Sequence, residues 1–425
     1  MNNTKNGISA LSPIAVLLAT YLCGALMAGD FYRIPITVSF VVAIIYGTLL
    51  LKGKSTLHKV SLLSQGAANP DIMYMIWIFC LAGIFASSAK SMGAVDATVI
   101  LTLKCIPGEL LPMGIFIASC FISMAIGTSV GTIVALTPVV TATAQHIDCP
   151  TAWLAAIVVG GAFFGDNLSF ISDTTIAATQ SQGCRMSDKF RTNLLIVLPA
   201  AIITMCIYIF GNQAGEYIAP QESVEWYKVL PYLLVIILAL TGMNVLVVLF
   251  IGIVATNAIG LLAGSMDVLG MFTAAGDGIG SMCELILVTM LAGGLMNIIK
   301  DLGGFDYLIR VLTANITSKR GAEAVIAATT GITNLCTANN TIAILTTGSI
   351  ARDLAQKYSI SPRRSASILD TSSCLVQGVI PYGAQLLMAS GLASISPIEI
   401  IPHLYYPFLI GAALILSILT GYPKK

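Results

Sequence analysis

Long blocks of apolar residues constrain the fold of this chain more than any other feature of its sequence. A helix needs about 20 apolar residues to cross a bilayer. Such blocks, with one shorter member at 229–242, lie at 9–28, 34–51, 71–92, 151–180, 192–211, 229–242, 244–263, 271–299, 362–393 and 402–421. Only 10% of the 425 residues are charged, too few to cover the surface of a soluble protein of this length. The sequence therefore predicts an all-α polytopic membrane protein in a lipid bilayer.

Composition also limits the partners and cofactors of the chain. A formal net charge of +1 offers little to phosphates, so no nucleic-acid partner is expected. The ten cysteines include no CxxC pair and the three histidines lie far apart, which predicts no zinc or haem cofactor and no disulfide framework. The first apolar run is too long for a signal peptide, so we interpret it as a retained helix of a bacterial cytoplasmic (inner) membrane protein.

Two further apolar blocks, 110–145 and 320–351, have small, polar centres at 127–132 and 334–341. Each half of a block is short for a complete span. The pattern predicts two re-entrant hairpins, in which a pair of half-helices enters and leaves on the same side. Irregular backbone at membrane depth is tolerated only where protein or a watery cavity covers it. We therefore expect the two tips to meet near the midplane.

An internal repeat relates the two halves of the chain. Segments 81–96 and 291–306 share six of sixteen positions at an offset of 210, including Lys90/Lys300 and Asp96/Asp306. Chance alone would give about one such match, and self-similarity of this kind indicates a duplicated unit. We interpret 1–215 and 222–425 as two repeats, each with its own spans and one hairpin.

The distribution of Lys and Arg predicts that the two repeats are inverted. Spans counted from the basic loop 52–59 place 17 of the 21 basic residues on one side, which the positive-inside rule assigns to the cytoplasm. Equivalent loops of the two halves differ in their content of basic residues: loop 146–150 has no Lys or Arg, whereas its partner 352–364 has four. We expect both termini in the cytoplasm and 212–228 outside. Two inverted-topology repeats with re-entrant hairpins and broken helices are typical of secondary transporters.

A dense group of polar residues interrupts the apolar span 151–180. An aspartate at the centre of a transmembrane helix costs about 2.5–3.5 kcal/mol, so two in one span indicate a function, unless both cap helix ends at the span edge. Gly165 and the hydroxyl residues predict a helix break near 166–172, whose free carbonyls would join the side chains as oxygen ligands for sodium. The candidate ligands here are Asp166, Asn167, Ser169, Ser172, Asp173 and Thr174, with Asp166, Asn167 and Asp173 as the sodium site.

The second repeat contributes different groups. Its equivalent span carries one carboxylate, Asp370, a few turns before Pro381, a residue that breaks the helix at the equivalent place. The hairpin tips add half-helix N-termini, whose positive dipole ends suit the carboxylate of a substrate. The candidate residues at the two tips are Thr128, Thr132, Thr337, Asn339, Asn340 and Thr341.

The run from Gly165 to Thr175, GDNLSFISDTT, resembles the G-D-x-x-S-x-x-S-D-T-T signature of the NhaC family of sodium/proton antiporters, part of the wider ion-transporter superfamily. The resemblance covers nearly the whole chain and implies a cation-coupled secondary transporter with the same inverted repeats. Asn167 and Phe170 stand where better-known members have Lys or a polar residue and Pro. Some relatives move amino acids or organic acids with sodium. The residues that match the signature are Asp166, Ser169, Ser172, Asp173, Thr174 and Thr175.

Three functions compete for this arrangement. In sodium/proton antiport, the favoured one, a buried carboxyl prefers its protonated form and a bound sodium ion prefers the charged form, so the two ions compete. The second is sodium- or proton-coupled transport of a small carboxylate or amino acid. The third, an intramembrane aspartyl protease, predicts G-x-G-D, but Phe163 replaces the first glycine. We therefore expect no enzyme; sodium and protons are the expected coupling ions, and the oligomeric state, for example a homodimer, stays open.

Overall fold

The computed structural model describes residues 4–28, 35–105, 110–169, 172–211, 223–241, 243–314 and 316–423. Over these ranges the chain forms α-helices and no β-strand. Six of the described helices, or seven when one bent pair counts as a single span, are long and apolar enough to cross a membrane. These observations confirm the prediction of an all-α polytopic membrane protein.

Helices cover every predicted span. The first half contains α1 (Thr4–Ala28), α2 (Ile36–Leu50), α3 (Thr56–Ala67), α4 (Pro70–Ser91), α5 (Ala94–Cys105), α6 (Leu111–Ile126), α7 (Ser129–His146), α8 (Thr151–Leu168), α9 (Asp173–Gln182) and α10 (Met186–Phe210). The second half contains α11 (Trp226–Leu240), α12 (Val245–Leu262), α13 (Val268–Asp301), α14 (Gly304–Thr313), α15 (Lys319–Thr337), α16 (Asn340–Lys357), α17 (Pro362–Val379), α18 (Ala384–Ala393), α19 (Pro397–Ile400), a 3₁₀ turn (Ile401–His403) and α20 (Tyr405–Thr420).

The helix pattern repeats along the chain. Helices α7, α8 and α9 begin and end 211 residues before α16, α17 and α18. A matching pair of hydrogen bonds joins equivalent helices, because Ser123 Oγ donates to the Ala162 carbonyl at 2.6 Å and Asn334 Nδ2 donates to the Ser373 carbonyl at 2.6 Å. The donor and acceptor are 39 residues apart in both cases. The duplication therefore extends from the sequence to individual contacts.

Packing between the halves is reciprocal. Helix α9 of the first half packs against α16 and α17 of the second, and α18 packs against α7 and α8. Reciprocal contacts of this kind are what a two-fold axis produces. The inverted orientation of the two halves in the membrane stays a prediction.

Both expected hairpins break within the expected tips. Helix α6 ends before Gly127, whose left-handed φ of 74° favours glycine, and α7 begins two residues later. Helix α15 ends before Ala338, with φ of 50°, and α16 begins at Asn340. The helices on each side of a break contact each other. The return of each hairpin to its own side of the membrane stays a prediction.

Two broken spans lie next to these hairpins. Helix α8 ends at Leu168 and α9 begins at Asp173, within the break that the sequence predicts. Residues 170 and 171 of this break lie outside the described ranges. Helix α17 ends at Val379 and α18 begins at Ala384, so Pro381 lies in the second break. The two spans are therefore interrupted at equivalent places in both halves.

Small residues bring α6 directly onto α8. A Cβ atom at Gly161 would lie 2.5 Å from Ser119 Cβ, and one at Gly165 would lie 2.2 Å from Ser123 Cβ. Such close approach of helix backbones is typical of small residues four positions apart in membrane proteins. This contact holds the end of α8, and therefore the first break, against the first hairpin.

We expect Gly165→Ala to destabilise the protein, because the added methyl group must push α8 away from the backbone of α6 at Ser123. Overpacking of this kind costs about 1–3 kcal/mol. Gly280→Ala in α13 is the matched control, since a Cβ there meets nothing within 4 Å. Thermal unfolding of the purified protein in detergent measures both variants. Equal melting temperatures for the two variants would contradict the close contact of α6 and α8.

Candidate cation site

The last turn of α8 ends inside the protein, so its final carbonyls have no partner within the helix. The Asp166 carbonyl accepts a hydrogen bond from Ser172 Oγ at 2.9 Å. The hydroxyls of Thr174 and Thr175 approach the same oxygen at 3.5 and 3.4 Å. The signature hydroxyls therefore close the break by satisfying a helix-end carbonyl. This carbonyl, expected to be free for a cation, is occupied by protein donors.

A buried ion pair lies beside the break. Lys189 Nζ is 2.8 Å from Asp370 Oδ2, with the two side chains 1% and 0% exposed. The ammonium also donates to the Asn167 carbonyl at 2.8 Å and to Thr175 Oγ1 at 2.7 Å, so each of its three protons has an acceptor. Asn193 Nδ2 donates to Asp370 Oδ2 at 2.8 Å and to the Asn167 carbonyl at 3.0 Å. This network joins α8 and α10 of the first half to α17 of the second.

Three oxygen atoms near this network lack a hydrogen bond of ordinary geometry within the described residues: Asn167 Oδ1, Asn193 Oδ1 and Asp370 Oδ1. All three are buried, and the hydroxyls of Tyr406 and Thr174 lie near Asn167 and Asp370. A buried acceptor without a partner costs about 1–3 kcal/mol. The network therefore contains unused oxygen atoms of the type that bind sodium.

The side chain of Asp166 faces the first hairpin. Its Oδ1 accepts a hydrogen bond from the backbone N–H of Ser129 at 3.0 Å, and the side chain is only 4% exposed. Ser129 is the first residue of α7, so the positive end of that helix dipole points at the carboxylate. The ion pairs found in the described residues do not include Asp166. Asp166 is thus a buried carboxyl without a cationic partner in that part of the chain.

Two glutamines connect the hairpin tips. Gln385 Nε2 donates to Ser129 Oγ at 3.0 Å, and Gln377 Nε2 donates to Gln385 Oε1 at 2.8 Å. Gln377 Nε2 also donates to the carbonyl of Ala338, the turn residue of the second hairpin, at 3.0 Å. The tips therefore meet through side chains of the second broken span.

Asp173 occupies a different environment from Asp166. It is the first residue of α9, directly after the N-cap Ser172, and its side chain is exposed. The described residues contain no group of three His, Cys, Asp or Glu side chains that could hold a metal ion, so Asp166, Asp173 and Asp370 are not assembled as one such cluster. Of the three residues assigned to sodium, Asp166 and Asn167 are both buried in the last turn of α8, where Asp166 contacts Ser129 and Asn167 Nδ2 donates to the Phe163 carbonyl at 2.8 Å.

The tip residues make mostly local contacts. Thr132 Oγ1 donates to the Thr128 carbonyl at 3.1 Å, and Thr337 Oγ1 donates to the Asn339 carbonyl at 3.1 Å. The side chain of Asn340, 8% exposed, accepts from the backbone N–H of Thr341 at 3.1 Å.

Two further side chains fix the ends of these helices. Asn339 Oδ1 accepts from the backbone N–H of Ile342 at 3.0 Å and so caps α16. Ser169 Oγ donates to the Met124 carbonyl at 2.8 Å, which ties the end of α8 to α6.

Sequence analysis missed two residues of this site, Lys189 and Asn193. Lys189 precedes the apolar block 192–211 and was therefore not assigned to a span, whereas the structure buries it in the first turn of α10. Arg364 was also counted as a loop residue and is buried in an ion pair with Glu323 at 2.9 Å. Without Lys189 and Arg364, 15 of the 17 basic residues assigned to that side remain, so the charge bias in the sequence persists. The missed signal was Asp370, since a buried carboxylate needs a counter-charge.

A helical membrane protein whose two broken spans meet at a buried cluster of carboxylates, amides and a lysine is a secondary transporter. The chain belongs to the Na⁺/H⁺ antiporter family, whose family model matches residues 4–212 and 219–424. This membership confirms the resemblance that the run 165–175 carries.

Individual relatives match over nearly the whole chain. The Na⁺/H⁺ antiporter NhaC of Alkalihalophilus pseudofirmus is 26% identical over 429 residues, which cover 92% of this chain and 90% of the relative. The malate-2H⁺/Na⁺-lactate antiporter of Bacillus subtilis is 21% identical and covers 98% of this chain and 96% of the relative. Among solved structures, the YdaH transporter of Alcanivorax borkumensis gives a TM-score of 0.42 at 13% identity, with 98% and 99% of the two chains covered.

Proposed function

We propose that this protein exchanges sodium ions for protons and that Asp166 is the carboxylate at which the two ions compete. The charge balance around the α8 break supports the proposal. Of the two buried carboxylates, Asp370 is paired with Lys189, whereas Asp166 has no ion pair in the described part of the chain. When Asp166 is ionised, this buried group carries one uncompensated negative charge.

An uncompensated buried charge costs several kcal/mol, so a cation must join it or the group must become neutral. A proton on Asp166 and a sodium ion beside it both remove that cost. Each excludes the other, because a protonated carboxyl is a poor ligand for sodium and a bound sodium ion favours the ionised form. The N–H of Ser129 stabilises the ionised form and so keeps both states accessible. Competition of this kind is sufficient for exchange.

Further ligands come from side chains near Asp166. The hydroxyl of Ser129 is beside the carboxyl. Asp173 is close enough for its charge to act on Asp166, and its exposed side chain would attract cations from water to the site. In this proposal Asp166 binds the ion and Asp173 raises the local cation concentration.

Alternating access would come from the two repeats, 1–215 and 222–425. The repeated helix bounds and the reciprocal packing of α9 and α18 support a two-fold relation between them. With inverted halves, rocking of one against the other exposes the site to each side in turn. The charge bias supports a multi-pass protein of the bacterial inner membrane with both termini in the cytoplasm.

We expect acidification to raise the apparent KM for sodium without changing the maximal rate of exchange. If one carboxyl binds either ion, the KM rises about tenfold for each unit of pH below the value at which that carboxyl titrates. Purified protein in liposomes, with an internal pH dye and an imposed sodium gradient, provides the measurement. If the KM for sodium stays constant as the pH falls below the value at which the carboxyl titrates, sodium and protons bind at separate sites and the proposal is contradicted.

A second candidate is sodium-coupled transport of a small carboxylate. The malate-2H⁺/Na⁺-lactate exchange for which the Bacillus subtilis relative is named, together with the amide groups of Gln377 and Gln385 between the tips, favours it. The same liposomes distinguish the two candidates. Antiport predicts a sodium-driven pH change in buffer alone. Coupled solute transport predicts that the change requires lactate, malate or an amino acid from a test panel.

A further inference from the structure

A cavity of about 370 Å³ lies between α10, α15, α17 and α20, outside the cation site. Its lining includes four cations and one acidic residue: Lys319, Arg320, Arg363, Arg364 and Glu323. The cavity therefore has an excess of positive charge. None of these residues takes part in the proposed exchange.

One of the four cations is structural. Arg364 Nη2 is 2.9 Å from Glu323 Oε2, and Arg364 Nη1 donates to the Tyr422 carbonyl at 3.0 Å. Both charged side chains are buried, at 6% and 3% exposure. Arg364 therefore fixes the turn after α20 against α17. Because Glu323 is already paired with Arg364, it does not neutralise the other cations of the cavity.

The other three cations, Lys319, Arg320 and Arg363, form no ion pair within the described residues. Asp188 is close enough for its charge to act on Arg363, but its carboxylate already forms an ion pair with Arg185 at 3.0 Å. Like charges around one cavity repel unless an anion lies between them. Guanidinium groups match the geometry of phosphate oxygens, and the positive ends of α15 and α17, which begin at 319 and 362, add to the field.

Apolar surface continues from the cavity along two helices. Thr192 of α10 and Thr420 of α20 line the cavity. One turn further from the helix ends, on the same faces, Leu195 is 44% exposed and Leu416 is 61% exposed. A ligand that combines a phosphate with hydrocarbon chains would fit both surfaces. Anionic phospholipids have this composition, and basic pockets between membrane helices bind their headgroups.

We propose that this cavity binds the phosphate of an anionic phospholipid, whose acyl chains lie along the exposed faces of α10 and α20. The two arginines of the cavity that form no ion pair, Arg320 and Arg363, contact the phosphate. Phosphatidylcholine, whose headgroup has no net charge, would bind more weakly.

Thermal unfolding of the full-length protein in a neutral detergent tests the proposal. The probes are dioleoylphosphatidylglycerol, dioleoylphosphatidylcholine and inorganic phosphate at equal phosphate concentration. We expect phosphatidylglycerol alone to raise the melting temperature. R320Q/R363Q should need at least about tenfold more of it for half of that shift, because two charge-assisted contacts are lost. K52Q/K54Q, which removes two exposed lysines from the loop before α3, is the matched control and should behave as wild type.

Three results would overturn the proposal. An unchanged lipid requirement in R320Q/R363Q would exclude this cavity as the site. Equal shifts with both lipids would exclude selection of an anion. A full shift with inorganic phosphate, lost in R320Q/R363Q, would assign the cavity to a free anion and exclude the lipid. Arg364 is left intact, because its loss would leave Glu323 buried without a partner.

Discussion

Replacing Asp166 by asparagine is expected to reduce sodium-driven proton movement to the level of liposomes without protein. The variant keeps the size of the side chain and an oxygen that accepts from the N–H of Ser129, but it cannot exchange a proton. It also removes the uncompensated buried charge, so the free energy of unfolding should be unchanged or larger. A folded protein without exchange is therefore the expected result, measured by internal pH and by thermal unfolding on the same preparation.

Two other aspartates serve as controls for this variant. Asp306→Asn removes an exposed carboxylate from the first turn of α14 and should leave exchange unchanged. Asp173→Asn should weaken sodium binding mainly at low ionic strength, because salt screens an exposed charge. Normal sodium-dependent exchange by Asp166→Asn, combined with complete loss in Asp173→Asn, would reverse the two roles and refute the assignment of Asp166.

The breaks in the helices could be predicted because their causes are local. Gly127 supplies a left-handed turn, Pro381 removes a backbone donor, and the polar run 165–175 is too hydrophilic for an uninterrupted apolar helix. Repetition along the chain could be predicted for a similar reason, since Lys, Gly and Asp recur at a fixed offset and helix bounds recur at nearly the same offset; the division into two repeats stays a prediction. The two tips, which we expected to meet near the midplane, are bridged by the side chains of Gln377 and Gln385, and their depth in the membrane stays a prediction.

Partners that are distant in sequence could not be predicted. Asn193 and Asp370 lie 177 positions apart, and only the packing of α10 against α17 brings them together. Lys189 was assigned to a loop because apolar sequence begins at 192, but α10 begins at 186 and carries Lys189 into the protein. The two aspartates of the signature were treated alike, since sequence does not reveal that Asp166 is buried near the end of α8 whereas the side chain of Asp173 is exposed at the start of α9.

Short helices escaped prediction for a different reason. Polar and apolar residues are mixed in helices α3, α5 and α14, so these helices are not detected by a search for long apolar blocks. Helix α3 is the clearest example, because its first residues fall in the stretch 52–59 that was interpreted as a loop. Their positions matter for the fold, since α3 packs along α13 and α14 against α1.

Separate loss of Lys189 or Asp370 is expected to destabilise the protein more than any other single change at the site. Lys189→Met leaves the Asp370 carboxylate buried without a cation, and Asp370→Asn leaves the ammonium without its anion. Removing one partner of a buried pair costs about 3–5 kcal/mol. Size-exclusion profiles and thermal unfolding in detergent should show little folded protein for either variant.

The double variant Lys189→Met/Asp370→Asn tests whether this loss comes from the unpaired charge or from packing. Because neither charge remains, most of the lost stability should return, and the cycle should give a large favourable coupling between the two residues. Arg185 and Asp188 form an exposed pair at 3.0 Å and provide the matched control, with little or no coupling expected because water and salt screen it.

The folded double variant should still exchange sodium for protons, since Asp166 keeps its own carboxyl. If the double variant is as unstable as the single ones, the side chains contribute by shape; if it folds but does not exchange, the ion pair takes part in transport and Asp166 is not sufficient.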